Sequence, residues 1–272
     1  MRKRETMIGL ERSDIVSEER NSQFVTALSR GLDVLRAFRR GDPPLGNQEL
    51  ARRTGLPKPT ISRITYTLSK LGYITYWPDI SKYTPSVGAL ALGFTALGSF
   101  GIRDVARPFM QELANYTGVA VALATRDRLS MVYVEHCRGD SPVLIALDTG
   151  SHVKLSLSAV GRAYMAGLEP PERACLMEQL AQHEGDRWPQ IKCGLDEAVS
   201  DLKTRGFTIS AGDWKPEVNA VGVPLHLGSG AMSFALNCGG PAFVTPRDKL
   251  IEDIGPRLAD MAFRIKKAMG VV

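Results

Sequence analysis

Sixteen consecutive residues, Gln48 to Arg63, constrain this chain more than any other stretch: QELARRTGLPKPTISR. Two short helical segments flank Gly55-Leu56-Pro57. Gly55 supplies a turn that accepts a positive backbone angle. Leu56 is placed to fill the angle between the helices, and Pro57 suits a first helical turn, where its missing N–H costs nothing. Leu50 and Ala51 form a short apolar face, and Ile61, Ile64, Leu68 and Leu71 follow at helical spacing toward a core. Lys58, Thr60, Ser62 and Arg63 are left near the N-terminal end of the second helix, the end that a recognition helix presents to base edges in the major groove. The pattern predicts a helix-turn-helix.

The charge distribution agrees. Residues 1–85 hold 15 Lys and Arg against 9 Asp and Glu, whereas the rest of the chain holds 19 against 20. The excess positive charge of this 272-residue protein therefore lies beside the helix-turn-helix, which predicts one nucleic-acid-binding domain and one near-neutral domain with a different task.

Along the chain, residues 1–21 are charged and aperiodic, and a mobile tail is expected there. Residues 22–40 carry Phe24, Val25, Leu28, Leu32, Leu35 and Phe38 in one helical stripe, ended by Gly41-Asp42-Pro43-Pro44. Asn47 is a candidate cap for the next helix, which ends near Thr54, and a third helix is expected from Pro57 to Leu71. Tyr73-Ile74-Thr75-Tyr76-Trp77 and Lys82-Tyr83-Thr84-Pro85, with a turn between them, predict a two-stranded wing. A winged helix-turn-helix over residues 22–85 results. Residues 86–98 are apolar, small and uncharged, and suit either a linker helix packed on a partner subunit or an ordinary core helix.

Residues 99–272 mix elements. Helices are expected over 104–116, 158–168, 170–184, 196–205 and 246–269. Strands are expected over 119–125, 131–136, 143–147, 207–210, 220–227 and 232–237. Adjacent hairpins with helices around them predict an α+β sensor-like domain.

Cys137, Cys175, Cys193 and Cys238 form no CxxC pair. Neither a metal site nor any other cofactor is expected, and reduced thiols in a reducing compartment are the default. The chain opens without a signal peptide and has no apolar run of transmembrane length. A soluble cytoplasmic protein with no membrane partner is expected.

The chain resembles the IclR family of bacterial transcriptional regulators over residues 23–270. The resemblance rests on Ser29-Arg30-Gly31-Leu32-Asp33-Val34-Leu35, residues 49–58, Thr60-Ile61-Ser62-Arg63 and Leu71-Gly72-Tyr73. Further along it rests on Ser158-Ala159-Val160-Gly161-Arg162-Ala163, Arg205-Gly206-Phe207 and Asn219-Ala220-Val221-Gly222-Val223-Pro224. It implies a winged helix-turn-helix joined by a linker helix to a GAF-like effector-binding domain. It also implies a dimer or dimer of dimers on a near-palindromic operator in double-stranded DNA, and a small organic acid effector, often of aromatic or glyoxylate-type catabolism. Two positions depart from the family pattern. Pro59 stands where a small polar residue is usual, so the operator sequence does not transfer, and Arg162 stands where Lys is usual.

The expected DNA contacts are Arg52, Arg53, Lys58, Thr60, Ser62 and Arg63, with Lys82 and Tyr83 of the wing on the backbone. Arg63 is the candidate for a bidentate guanine contact. The resemblance implies an effector pocket lined by four segments. These are Leu157-Ser158-Ala159-Val160, where main-chain N–H groups at a helix start suit a carboxylate; Ser210 with Asp213 and Trp214; Ala220; and Asn237 with Gly239. A small residue at Ala220 and an aromatic at Trp214 suit an acid larger than glyoxylate, aromatic ones included.

Two rival readings are weaker. An enzyme would have to use His136, His152, His183, His226, Asp213 or Glu217, yet the chain has no nucleophile elbow, metal-ligand spacing or phosphate loop. The other is a constitutive DNA binder with a silent C-terminal domain, which a ligand-dependent change in operator affinity tells apart.

Overall fold

The computed structural model describes residues 24–140, 145–228 and 232–271. It contains two compact units dividing between Phe100 and Gly101. The expected tail over residues 1–21 lies outside the described residues.

In the N-terminal unit, α1 (Thr26–Arg36), α2 (Asn47–Thr54) and α3 (Lys58–Lys70) precede the wing strands β1 (Ile74–Trp77) and β2 (Lys82–Pro85), and α4 (Val87–Gly98) follows. Gly55 ends α2 at φ 72°, the left-handed turn its lack of a side chain allows. Val34, Ala37, Leu45, Leu50, Ile61, Leu68 and Ile74 form the core, with Leu56 packed against it between the helices. Leu45 bridges to Tyr83 through two main-chain hydrogen bonds of 2.8 and 2.9 Å, which fixes the wing to the segment before α2.

Several local expectations change. Gly46, not Asn47, occupies the cap of α2, and Pro57 caps α3 from outside while Pro59 sits in its first turn. Leu71 is 64% exposed because α3 ends one residue earlier and Gly72 turns the chain away. The stripe assigned to α1 is divided. Val34 and Ala37 face the core, and Leu35 and Phe38 pack partly against it, but Leu28 and Leu32 remain exposed, as does Val25 just before the helix. The apolar helix α4 buries none of its residues within the protomer, so it is not an ordinary core helix of this chain.

The C-terminal unit is built on one antiparallel six-stranded sheet of order β5-β4-β3-β8-β7-β6. Its strands are β3 (Ala120–Asp127), β4 (Ser130–Cys137), β5 (His152–Lys154), β6 (Thr208–Ala211), β7 (Val218–Leu225) and β8 (Phe234–Pro241). The helices are α5 (Ile102–Thr117), α6 (Ala159–Gly167), α7 (Pro170–Glu184), α8 (Trp188–Arg205) and α9 (Gly255–Ala268), the last preceded by a π-helical turn, Leu250–Ile254.

Side chains alternate between the two sheet faces. Val121, Leu123, Leu236 and Cys238 point to one side, where the Thr117 hydroxyl at the end of α5 lies 3.8 Å from the Cys238 sulfur. Ala120, Ala122, Ala124, Ala220, Gly222, Ala235, Asn237 and Gly239 point to the other. This second face is floored by small residues, and α6 to α8 enclose a core against it through Val160, Ala163, Tyr164, Leu180, Ile191 and Leu195.

The strand expected over residues 143–147 is the main departure in this unit. Residues 141–144 lie outside the described residues, residues 145–147 are not a strand, and the edge strand is β5 instead. Helix α8 starts eight residues before the expected 196. Its Gly194 interrupts the pattern in sequence, yet a Cβ there would come within 2.4 Å of the Arg162 guanidinium. Among the described residues, no single helix is long and apolar enough to cross a membrane.

Candidate DNA interface and effector cavity

Helix α3 exposes Lys58, Ser62 and Arg63 on its outer surface, with Thr60 half-buried. Lys58 and Ser62 are one turn apart, as are Pro59 and Arg63, so the exposed groups form a continuous stripe. Tyr66, 65% exposed, extends it, and the Lys70 ammonium lies 5.5 Å from its ring. Tyr66 was missed in the sequence because an aromatic inside an amphipathic helix reads as core. Lys82 is exposed at the start of β2, opposite Trp77, whose indole nitrogen donates to the Thr84 hydroxyl at 3.0 Å.

The two arginines of α2 differ. Arg52 is 72% exposed and holds Glu49 through two bonds of 2.8 and 2.6 Å. Arg53 is 17% exposed and is committed inside the unit, donating to Glu49 at 2.7 Å, to the Ala37 carbonyl at 2.9 Å and to both oxygens of Asp42. It ties the end of α1 and the following loop to α2. The Arg52 and Arg53 guanidiniums hold the Glu49 carboxyl down to about 2, and Arg53 also lowers that of Asp42.

The second site is a cavity on the small-residue face of the sheet. Of the ten expected effector residues, Ser158, Ala159, Trp214, Ala220, Asn237 and Gly239 line it. The other four brace its walls. Val160 is fully buried beneath it, and Leu157 packs on the core while accepting a 2.9 Å bond from the Ser210 hydroxyl. Asp213 pairs with the buried Arg162 at 2.9 Å and accepts from the Ala211 N–H at 3.0 Å, which anchors the loop that carries Trp214. Arg162 also donates to the Ile209 carbonyl, so its charge serves this loop.

Close packing sets the floor. A Cβ on Gly222 would stand 2.3 Å from the Ala159 carbonyl oxygen, so only glycine lets the start of α6 lie flat on β7. Ser158 caps α6, accepting from the Gly161 N–H at 3.1 Å and donating to the Lys154 carbonyl at 2.7 Å. Ala159 then brings the first turn of α6, with its partial positive charge, to the cavity wall.

Tyr133 and His136 complete the lining and were not anticipated. Three residues apart, they would fall on opposite faces of a regular strand. The pairing of β3 with β4 shifts between Leu123↔Glu135 and Ala124↔Tyr133, leaving Val134 as an extra residue. This bulge turns both rings to the cavity, stacked with centroids 5.9 Å apart. Burial pushes the Tyr133 phenol up to about 12, opposed by the nearby Asn237 side chain, and so keeps it neutral. The enclosed space between the walls is small, about 50 Å³, so an occupant the size of a ring has to push the walls apart. Among the described residues, no three His, Cys, Asp or Glu side chains cluster as a metal site.

Known proteins give the arrangement its family. Residues 27–78 match the IclR helix-turn-helix domain, and residues 94–267 match the C-terminal domain of bacterial IclR transcriptional regulators. The chain belongs to the IclR family. It is 32% identical over 254 residues to the HTH-type transcriptional regulator TsaQ1/TsaQ2 of Comamonas testosteroni, covering 93% of this chain and 91% of that one. It is 24% identical to the Pca regulon regulatory protein of Pseudomonas putida, over 79% of this chain and 74% of the relative. A solved IclR family transcriptional regulator from Brucella abortus superposes with a TM-score of 0.83 at 46% identity, covering 92% of this chain and 95% of the other. This IclR protein is a DNA-binding transcriptional regulator with an N-terminal helix-turn-helix and a C-terminal α+β domain. Its family and relatives are regulators, so the enzyme reading falls.

Proposed function

We propose that this IclR regulator controls catabolic genes from the cytoplasm by binding a near-palindromic operator as a dimer or dimer of dimers, and that a small aromatic acid in the C-terminal cavity tunes the binding. The observation that carries the reading is the cavity itself. A helix start suited to a carboxylate stands at one wall, and the rings of Tyr133, His136 and Trp214 supply flat faces around it.

In this reading Lys58, Thr60, Ser62 and Arg63 enter the major groove, Arg63 carries the strongest base contact, and Lys82 holds backbone from the wing. Arg52 reaches phosphate at the cost of its pair with Glu49. Arg53 acts from within, by holding α2 in place. The oligomer forms through α4, whose Val87, Leu90, Leu92 and Phe94 are 57–74% exposed in the protomer, too much contiguous apolar surface to leave in water.

Footprinting on the DNA that flanks its gene, with and without a panel of aromatic and short aliphatic acids, tests the proposal. A protected palindrome whose affinity changes with an aromatic acid is the expected result. Protection that no acid alters would make the C-terminal domain a silent sensor. Absence of protection at low salt would remove the DNA reading of α3.

A further inference from the structure

Strand β4 serves two sides of the sheet within four residues. Tyr133 and His136 face the cavity. Between them, Glu135 points through the opposite face and is 4% exposed. There one carboxylate oxygen accepts from Arg103 at 2.9 Å and the other from Arg107 at 2.6 Å. The second oxygen also accepts from the His136 N–H at 3.1 Å, so the carboxylate grips the main chain of the bulge as well. Arg103 and Arg107 lie one turn apart on one face of α5, within its first six residues. Residues 99–101 alone separate α5 from α4, which belongs to the DNA-binding unit.

We propose that Glu135 is the positioning residue through which the occupancy of the cavity reaches the DNA-binding unit, with β4 acting as a lever about the Val134 bulge and the two arginines carrying its movement into the start of α5. The inference rests on the reading of the cavity as an effector site. Its physical basis is the unequal freedom of the two sides. The cavity side of β4 is floored by alanines and glycines around a space of only about 50 Å³, so an occupant of ring size displaces Tyr133 and His136. The Glu135 side is fixed by charge-assisted bonds, which are short and directional. A displacement of either ring therefore shifts the main chain at Glu135, and the bidentate grip passes that shift to α5 rather than absorbing it. A site that favours one arrangement of this lever also favours one arrangement of the helices beyond it, and that is the requirement for coupling between sites.

The test uses the full-length protein and an occupant built into the chain, Ala220→Phe, which fills the cavity without a ligand. Amide hydrogen exchange is measured over residues 87–108 and over β4. Filling the cavity is expected to change exchange in both segments, by about five-fold or more. Glu135→Gln, which keeps the shape and removes the charge, is expected to retain the change in β4 and lose it over residues 87–108. Ala122→Leu replaces Ala220→Phe if the latter does not fold, and Arg103→Gln with Arg107→Gln replaces Glu135→Gln on the same condition. An equal response over residues 87–108 with and without the Glu135 carboxylate overturns the proposal. So does a folded, filled protein in which those residues do not respond. The effector reading is judged separately, by quenching of Trp214 fluorescence with 4-hydroxybenzoate and related acids in the unsubstituted protein; its failure leaves the exchange result standing.

Discussion

The outer face of α3 and the cavity of the C-terminal unit are both candidate binding surfaces, but they are made in opposite ways. The first is a row of long polar side chains on one helix, each free to change without disturbing a neighbour. The second is space, kept open by side chains that are missing. Gly239, Ala120, Ala122 and Ala220 line it from three strands, and Gly222 beside them lets α6 lie close on β7, so each matters for what it leaves out. A surface of the first kind changes its specificity one residue at a time. A surface of the second kind fails when a single methyl group is added.

The steepest way to break the first surface is from beneath. Leu50 is fully buried in the core of the N-terminal unit, so Leu50→Ala should cost about 2–5 kcal/mol. It should appear as an early unfolding transition in denaturant, with DNA binding lost at the same point. If binding persists through that transition, the core does not support the surface.

The cavity should be nearly as sensitive to a much smaller change. Gly222→Ala drives a Cβ into the Ala159 carbonyl and should cost about 1–3 kcal/mol. Acid binding, followed by calorimetry, should disappear as α6 lifts from β7. On the outer face of α3, by contrast, Ser62→Ala should leave stability unchanged.

The two arginines sharpen the contrast within one domain. Arg63→Ala should weaken operator binding by about 1–3 kcal/mol and flatten its salt dependence, without moving the melting temperature. Arg53→Ala should do the reverse, lowering the melting temperature of the N-terminal unit while leaving base preference intact, because its partners are Asp42, Glu49 and the Ala37 carbonyl. A loss of base preference in Arg53→Ala would return that residue to the groove.

The smallest expected effect is one of pH. The Glu49 carboxyl is depressed from its ordinary 4.5 to about 2 by Arg52 and Arg53. A depressed carboxyl contributes stability that is complete above its unfolded value and is lost as pH falls through the folded one. The N-terminal unit should therefore weaken from about pH 4.5 toward 2, and Glu49→Gln should flatten that part of the profile. The effect is modest because water screens this exposed site.

The same contrast explains what the sequence revealed. The helix-turn-helix is local: Gly55, Leu56 and Pro57 sit between two periodic segments, and a turn of consecutive residues shows in consecutive letters. The cavity was legible only in part. Ser158, Ala159, Trp214, Ala220, Asn237 and Gly239 came from a family resemblance, and the structure brings them together. Tyr133 and His136 stayed hidden because a bulge reverses which face a residue takes, and an extra Val134 carries no compositional mark. Arg53 read as a DNA contact and Arg162 only as a departure from the family pattern, yet one binds the end of α1 to α2 and the other holds the Trp214 loop. Apart from Glu49, one turn before Arg53, their partners lie 11 to 51 residues away, beyond the reach of any periodicity. The apolar Leu28 and Leu32 read as core because the pattern counts hydrophobic residues and not what covers them.

The start of α4 has a consequence for how this regulator measures DNA. The Gly88 N–H donates to the Gly72 carbonyl at 3.1 Å and the Ser86 N–H to the Tyr73 carbonyl at 2.9 Å, so α4 begins on the main chain of the two residues that join α3 to β1. These bonds do not involve side chains. With α3 as the proposed reading helix, substitutions at Lys58, Ser62 or Arg63 should change which bases are read and leave untouched the angle at which that helix is carried. The ruler and the reader are thus separate parts. For the proposed dimer on a two-part operator, the letters of the site would drift under selection while the distance between its halves stays tied to backbone geometry.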